Sequence, residues 1–176
     1  MTDALRHDRA LLDALDIATI PISGTVWRIT RAGRDPLKGS SLPARWSGGD
    51  YSVLYTACEK EGALAEIGFR LSQEPIWPSR LEHLLHEIRV ECEKVIDLSE
   101  LSKLEKLGVV TSKYQSQEYS VTSRISAAAA FLEYDAMLVP NARFKCSNLV
   151  VFNERPNELR LVKSTPIEWE AWRSNK

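Results

Sequence analysis

The sequence has few cysteines and histidines and no long apolar run. Its three cysteines, Cys58, Cys92 and Cys146, lie far apart without CxxC spacing, and an odd number of scattered thiols fits a reducing compartment better than a disulfide framework. The three histidines show no metal-ligand spacing such as HExxH, so we expect no metal site. Charges interrupt the apolar residues of segment 1–20, which argues against a signal peptide, and no stretch is long enough to span a membrane. We therefore expect a cytoplasmic protein without membrane contact.

An excess of positive charge is also absent. Lysine and arginine total 23, aspartate and glutamate total 24, and the formal net charge is −1. Proteins that bind nucleic acids usually carry a basic excess or a basic face, so direct binding to DNA is disfavoured. Hydrophobic residues make up 44% of the 176 residues, and no repeat or flexible linker divides the chain. This balance predicts one globular domain over residues 1–176.

The order of the predicted elements favours an α+β fold. Helical and strand periodicities interleave without a regular β-α-β rhythm, and no GxGxxG motif follows a strand. We predict a single α+β domain with a mixed or mostly antiparallel β core and surrounding helices. Predicted helices cover residues 3–17 (in an N-terminal helical segment, 1–20), 59–71, 101–107, 116–133 and 165–176, and predicted strands cover 26–31, 53–57, 85–92, 95–98, 136–139, 148–152 and 159–163, the last two joined by a turn at Pro156-Asn157.

Two arginines are candidates for anion binding. Arg28 lies in the middle of the first predicted strand, where its charge is costly unless it meets an anion or a carboxylate, although an exposed position at a sheet edge explains it equally well. Arg45, Trp46 and Ser47 lie near the end of a loop rich in glycine and proline at residues 32–50, and long loops in compact domains are often functional. A guanidinium beside an aromatic ring suits a phosphate-bearing ligand. A basic loop tip in solvent is the alternative.

Three further polar side chains complete the set of candidates. Tyr55 lies in the second predicted strand, and Glu66 lies opposite the apolar face of the helix that follows. A pair between Glu66 and Arg70, at i,i+4 on a solvated surface, explains this glutamate without any function. Asn141 follows a buried strand, a position that commonly faces a cleft, although Pro-Asn is also an ordinary turn signal. None of these residues is specific alone, and it is their order along the chain that carries information.

This order of residues resembles the RES-domain family, which is named for its Arg, Glu and Ser residues. The resemblance covers residues 24–163 and is most specific at 44–67, where the family has an Arg-Trp pair, an LYTA-like strand and an ALAE helix. The matching stretches are VWRIT at 26–30, ARWSGGDYSVLYTA at 44–57, ALAEI at 63–67, VIDLSELSKLEKLGV at 95–109 and AMLVPNARFKCSNLVVF at 136–152.

The resemblance implies a fold similar to that of ADP-ribosyltransferase toxins and an enzyme that consumes NAD⁺ as its substrate without a metal. Family members are toxins of bacterial toxin–antitoxin systems, held inactive by an Xre-type antitoxin, so that DNA is reached only through the antitoxin. The implied reaction is cleavage of the nicotinamide–ribose bond by phosphorolysis or hydrolysis, which depletes cellular NAD. Two alternatives stay open: a mono-ADP-ribosyltransferase that uses the same NAD⁺ site, and a catalytically impaired module that only binds the antitoxin.

The resemblance also implies roles for the candidate residues. The carboxylate of Glu66 would act electrostatically at the ribose, and Tyr55 would stack on or orient the nicotinamide end. The two arginines would bind the pyrophosphate or the nicotinamide ribose. The implied NAD⁺-binding residues are Arg28, Arg45, Trp46, Ser47 and Tyr55, and the implied catalytic residues are Glu66, Arg28, Tyr55 and Asn141.

One catalytic position departs from the family pattern. The chain has Asn141 where the family has serine. Asparagine donates and accepts hydrogen bonds, but its amide is bulkier than a hydroxyl and has a different geometry. Ser147, six residues on, is a possible local substitute. The departure leaves open whether phosphate, water or a protein is the acceptor.

Overall fold

Helices and strands alternate along the chain in the computed structural model, which describes residues 7–154 and 158–176. The predicted α+β class is confirmed. Within the described residues the strands are β1 (Ile20–Arg31), β2 (Val53–Ala57), β3 (His83–Asp97), β4 (Ala136–Pro140), β5 (Ser147–Phe152) and β6 (Glu158–Pro166), and the α-helices are α1 (Arg9–Leu15), α2 (Lys60–Ser72), α3 (Leu101–Lys106), α4 (Ser120–Phe131) and α5 (Trp169–Ser174), with a short 3-10 helix at Thr111–Lys113.

The strands form one mixed sheet that closes on itself. Its order is β1-β2-β5-β4-β3-β6, and β1 also pairs with β3, so that the first five strands in this order form a ring. The β3–β4 pair is parallel, and the other pairs are antiparallel. Closing a sheet into a ring pairs the strand edges that an open sheet would leave free. Among the described strands, β6 lies outside the ring and pairs with β3.

β1 begins earlier than predicted. The segment that starts at Ile20 is strand, although the predicted helical segment extends to residue 20 and the first predicted strand begins only at Val26. Pro21 lies where the register with β3 shifts between Ile20 and Ile22. A proline at such an irregularity removes no hydrogen bond from the regular ladder, because the ladder is already interrupted there.

β3 replaces two predicted strands with one. Polar residues at 93–94 separated the predicted strands 85–92 and 95–98, but the chain stays extended through them. The carboxylate of Asp135 accepts hydrogen bonds from the backbone N–H groups of Glu93, at 3.1 Å, and Lys94, at 2.8 Å. These bonds satisfy backbone donors that the neighbouring strands do not reach.

Three helices are shorter than predicted. α1 covers seven residues and begins after Asp8, whose side chain accepts the N–H of Ala10 at 3.0 Å. The helix predicted at 116–133 begins at Ser120, and α5 begins at Trp169 because residues 165–166 belong to β6. The predicted helical residues 3–6 and the predicted turn at Pro156-Asn157 lie outside the described residues.

The two faces of the ring are buried in different ways. On one face all five ring strands contribute to one apolar cluster. On the other face, α2 and α4 each cover an apolar cluster of their own. Tyr55 of β2 and Asn148 of β5 lie on this second face, because Val53 and Ala57 flank Tyr55 at a period of two and Ala57 pairs with Asn148. The candidate site is built there, beside α2.

No helix among the described residues has both the length and the apolar character needed to cross a lipid bilayer.

Candidate active site

The position of Glu66 depends on a close approach between α2 and the β4–β5 connection. A side chain at Gly62, one turn before Glu66, would place its Cβ 2.4 Å from the Sγ of Cys146 and 2.9 Å from the Nδ2 of Asn141. Glycine therefore allows the first turn of α2 to rest on this connection. The half-buried Glu66 side chain is thereby brought to β5, and it makes no ion pair with Arg70 within the described part of the chain.

A chain of amide hydrogen bonds orients the Glu66 carboxylate. Asn148 donates from Nδ2 to Glu66 Oε1 at 3.0 Å, and Asn141 donates from Nδ2 to Asn148 Oδ1 at 2.9 Å. Asn141 Oδ1 in turn accepts the backbone N–H groups of Arg143, at 2.8 Å, and Phe144, at 2.9 Å. Both asparagines are buried, so each amide has a single favourable orientation. The hydrogen bonds that orient the carboxylate thus come from neutral amides, which do not neutralise its charge.

Tyr55 anchors the end of the glycine- and proline-rich loop. Its hydroxyl accepts the backbone N–H of Trp46 at 2.7 Å, and the carbonyl of Trp46 accepts the hydroxyl of Ser126 on α4 at 2.7 Å. Burial raises the pKa of Tyr55, and the nearby Glu66 raises this pKa further. The phenol therefore stays neutral, and its own proton is available to donate to a ligand.

Trp46 and Ser47 lie inside the protein. The Trp46 side chain is 1% exposed within the cluster beneath α4, so its indole offers almost no surface to a ligand. Ser47 is equally buried, and its hydroxyl has no hydrogen-bond partner in the part of the chain that the structure describes. A buried hydroxyl without a partner is unfavourable, so a hydrogen bond from a bound ligand to this group would be stabilising.

Arg45 is fixed between two tyrosine rings. Its guanidinium carbon lies 4.8 Å from the centre of the Tyr114 ring and 5.0 Å from that of Tyr119. Nη1 donates to the carbonyl of Tyr114, and Nη2 donates to the carbonyl of Ser116 at 3.2 Å. Neutral carbonyls hold the guanidinium in place without neutralising it, which is the arrangement expected of an anion-binding arginine.

Arg143 lies near Arg45, and among the described residues no carboxylate forms an ion pair with either guanidinium group. Its Nη2 donates to the carbonyl of Gln115 at 2.7 Å, and its guanidinium carbon lies 3.4 Å from the centre of the Phe69 ring. Partial burial lowers the pKa of Arg143, the charge of Arg45 lowers it further, and Glu66 opposes both effects. Two adjacent guanidinium groups repel each other, and an anion between them would relieve the repulsion.

Arg28 lies apart from this group. It pairs in register with His86, on the face of β1 that also carries Val26 and Thr30. His86 is buried, with Nε2 2.8 Å from the Thr30 hydroxyl and Nδ1 2.8 Å from that of Ser164. Burial lowers the pKa of Arg28, and Asp35 partly offsets this. Across residues 7–154 and 158–176, the buried Nη1 of Arg28 finds no hydrogen-bond partner.

The structure thus brings together some of the predicted residues and adds others. Glu66 and Arg45 both act electrostatically on Tyr55, and Asn141 reaches Glu66 through Asn148. We call Glu66, Tyr55, Arg45, Arg143 and Tyr114 the carboxylate–arginine cluster. Within the described residues no hydrogen bond links Arg28 to this cluster. The same residues contain no group of His, Cys, Asp and Glu side chains that could hold a metal ion.

The sequence did not reveal three of the residues at the site. Asn148 stands at the start of a predicted strand, where a polar residue is unremarkable. Arg143 follows Asn141 closely but gave no signal of its own. Tyr114, whose hydroxyl donates to the carbonyl of Pro140 at 2.7 Å, lies in a segment without clear periodicity. Only the three-dimensional arrangement connects them to Glu66.

Comparison with known proteins gives related sequences and a related structure. The RES domain family matches residues 25–173. A Mycobacterium tuberculosis protein named probable NAD(+) phosphorylase is 30% identical over 145 residues, which cover 77% of this chain and 69% of that protein. NAD(+) phosphorylase MbcT of Mycobacterium bovis is 27% identical over 179 residues, with 95% and 94% covered. A chain in the crystal structure of the M. tuberculosis MbcT–MbcA toxin–antitoxin complex has the same fold, with a TM-score of 0.81 at 24% identity over 95% of this chain and 97% of that one.

Proposed function

The chain belongs to the RES domain family, and from that premise we propose that it cleaves the nicotinamide–ribose bond of NAD⁺ as the toxin of a bacterial toxin–antitoxin pair. The relatives named above are NAD⁺ phosphorylases, which favours phosphate as the acceptor. The observation that carries the proposal is the Glu66 carboxylate, held by Asn148 at 3.0 Å with two arginines nearby.

The reaction requires what this cluster offers. As the bond between C1 of the ribose and the nicotinamide nitrogen breaks, nicotinamide leaves as a neutral molecule with the bonding electrons, and positive charge develops on the ribose. A fixed carboxylate beside the ribose stabilises that charge, as in glycoside cleavage. A phosphate oxygen then forms the new bond to C1, and the products are nicotinamide and ADP-ribose 1-phosphate. In the proposed roles Glu66 supplies the negative charge and the neutral Tyr55 phenol donates a hydrogen bond at the nicotinamide end.

The cationic side chains would bind the substrate's phosphates. Arg45 and Arg143 hold their guanidinium groups on carbonyl oxygens, so both retain a full charge for an anionic ligand. A bound pyrophosphate would place the reacting bond against Glu66, so that binding energy remote from C1 contributes to the rate. Arg28, whose buried Nη1 has no hydrogen-bond partner among the described residues, would contribute positive potential from the opposite face of the ring, and a ligand contact there would require a local rearrangement.

The remaining parts of the proposal concern the setting of the enzyme. We infer a single domain over residues 1–176 with an ADP-ribosyltransferase-like core, which the closed mixed sheet supports. We infer a cognate antitoxin, since the structural relative is a toxin bound to one. We further propose that the antitoxin is of the Xre type, that the toxin contacts DNA only through the antitoxin, and that the protein is cytoplasmic. The proposed NAD⁺-binding residues include Trp46 and Ser47.

Product analysis tests the proposed reaction. Purified protein is incubated with NAD⁺ that is labelled in its ADP-ribose half, in phosphate buffer and in phosphate-free buffer. We expect nicotinamide release that depends on phosphate and a labelled ADP-ribose phosphate as the second product. Labelled ADP-ribose without phosphate would indicate hydrolysis, and label on protein would indicate ADP-ribosyl transfer. Intact NAD⁺ in both buffers would contradict the proposal.

Asn148 is expected to control the pH dependence of the reaction. In Asn148→Asp a second carboxylate lies within hydrogen-bond distance of Glu66. Two carboxylates this close do not both ionise readily, so the pair shares a proton. The shared proton removes negative charge from the site, so we expect kcat to fall about tenfold or more near neutral pH and to recover as the pH is raised and the pair loses that proton.

The measurement for Asn148 is a pH–rate profile of nicotinamide release. The matched control is Asn175→Asp, which adds the same charge at an exposed position near the end of the chain and should leave the profile unchanged. A purely structural role for Asn148 would lower the rate equally at every pH. If the rate of Asn148→Asp falls on the acidic side of the profile at the same pH as the wild-type rate, the positioning role is ruled out.

A further inference from the structure

A cavity lies between α2 and α5, next to the carboxylate–arginine cluster. Its volume is about 550 Å³, within the roughly 300–1,000 Å³ range of small-molecule sites. Gly68 shapes this cavity, because a Cβ at this position would lie 2.2 Å from the ring of Trp172. Glycine allows the indole to approach α2 closely and to form one wall. The opposite end of the cavity reaches Arg143.

The cavity carries an unusual number of cations held against aromatic rings. Three cationic groups line it, and each lies over a ring that also lines it. One carboxylate, Glu74, is among the lining residues. The three cationic groups are Arg143, 3.4 Å from the Phe69 ring centre, Arg173, 4.2 Å from that of Trp77, and the Nζ of Lys176, 4.1 Å from that of Trp172.

This combination favours one class of ligand. Three cations against one carboxylate attract an anion, and indole and guanidinium faces suit a planar aromatic group. An adenine nucleotide has both features, and a cavity of this size accommodates an adenosine phosphate. A simple inorganic anion would not use the aromatic walls.

The cavity also shares Arg143 with the carboxylate–arginine cluster. Arg143 lines the cavity and interacts electrostatically with both Glu66 and Arg45. Phe69 lies three residues after Glu66 on α2, so the two side chains project from neighbouring positions on one side of the helix. A dinucleotide whose ribose lies at Glu66 and whose phosphates lie at Arg45 and Arg143 has its remaining nucleoside at this cavity.

We propose that the cavity between α2 and α5 binds the adenosine end of NAD⁺, with Arg143 at the junction between the pyrophosphate and the adenosine. This inference rests on the proposed function and adds a substrate-binding role for α5. It also makes the enzyme selective for dinucleotides, because nicotinamide mononucleotide lacks the group that fills the cavity.

Charge reversal at two exposed cavity residues tests the proposal. The variant Arg173→Glu/Lys176→Glu changes the cavity without touching the core, since both side chains are exposed. We expect the ratio of kcat/KM for NAD⁺ to kcat/KM for nicotinamide mononucleotide to fall about tenfold or more. The control Lys94→Glu/Lys106→Glu makes the same charge change at exposed lysines that do not line the cavity, and should keep the wild-type ratio.

A binding measurement separates failure of this inference from failure of the proposed function. ADP is titrated while tryptophan fluorescence is recorded, since Trp77 and Trp172 line the cavity. We expect saturable binding to the wild type and a dissociation constant at least tenfold higher in Arg173→Glu/Lys176→Glu. This readout needs no turnover, so it tests the cavity even if NAD⁺ is not cleaved.

Three results would overturn the cavity proposal. The first is equal ADP binding by the wild type and the charge-reversal variant. The second is NAD⁺ cleavage with an unchanged preference over nicotinamide mononucleotide in that variant. The third is unchanged ADP binding together with loss of binding to the cognate antitoxin, which would make the cavity a docking site for the protein partner.

Discussion

Replacing Glu66 by glutamine is expected to lower the rate of NAD⁺ cleavage about 10³-fold, because removing a group that stabilises developing charge in a closed site typically costs about 10²–10³ in kcat. The substitution is nearly isosteric. The carbonyl oxygen of glutamine can still accept the hydrogen bond that Asn148 Nδ2 now donates to Glu66 Oε1 at 3.0 Å. What is lost is the negative charge, so the fold and the substrate affinity are expected to survive.

The measurement for Glu66 is kcat for nicotinamide release, together with thermal unfolding of the same samples. Glu61→Gln is the matched control, because Glu61 is an exposed glutamate on the same helix, and it should retain wild-type kcat. The variant Glu66→Gln is also expected to relieve growth arrest when the chain is expressed without its antitoxin. A Glu66→Gln protein that keeps more than a tenth of the wild-type kcat would contradict the assigned role.

The second large effect is expected at Arg45. The variant Arg45→Ala should lower kcat/KM for NAD⁺ about 100-fold, because a charge-assisted hydrogen bond to a phosphate contributes about 1.5–3 kcal/mol and because Arg45 also fixes the segment around Tyr114. Arg45→Lys keeps the charge but cannot reach both the carbonyl of Tyr114 and that of Ser116 with one planar fork. We expect Arg45→Lys to recover only part of the activity.

Binding and stability measurements separate the two roles of Arg45. If it binds phosphate, the dissociation constant of ADP rises in Arg45→Ala at temperatures where the protein is fully folded. Arg34→Ala, which removes an exposed arginine shortly before it in the sequence, serves as the control and should bind ADP as the wild type does. Unchanged ADP binding in Arg45→Ala, with a lowered unfolding temperature alone, would leave Arg45 with a structural role only.

The fold was predictable where local pattern decides structure. β2, β4 and β5 are short and apolar, and they appear close to where their residues predict strands. β3 was divided at residues 93–94 because the groups that keep it extended are remote. Asp135, about 41 residues away, accepts the backbone N–H groups there. Contacts of this kind cannot be read from periodicity.

The candidate site was predictable only in part, for the same reason. The resemblance to a family pointed to Glu66, Tyr55 and Arg45, which the fold brings near one another. Asn148 and Arg143 act through contacts across the sheet and with α2, and strand patterns do not encode such contacts. For Arg28 the sequence pattern was informative. The alternation of side chains along β1 already places Arg28 on the same face as Val26, which is the face away from Tyr55.

The most direct test of this account is a crystal structure of the Glu66→Gln protein with NAD⁺ bound, because that variant should bind the dinucleotide without consuming it. We expect the nicotinamide ribose beside residue 66 and the pyrophosphate against Arg45 and Arg143. A dinucleotide bound elsewhere on the protein, with residue 66 facing away from it, would refute the assignment of this site.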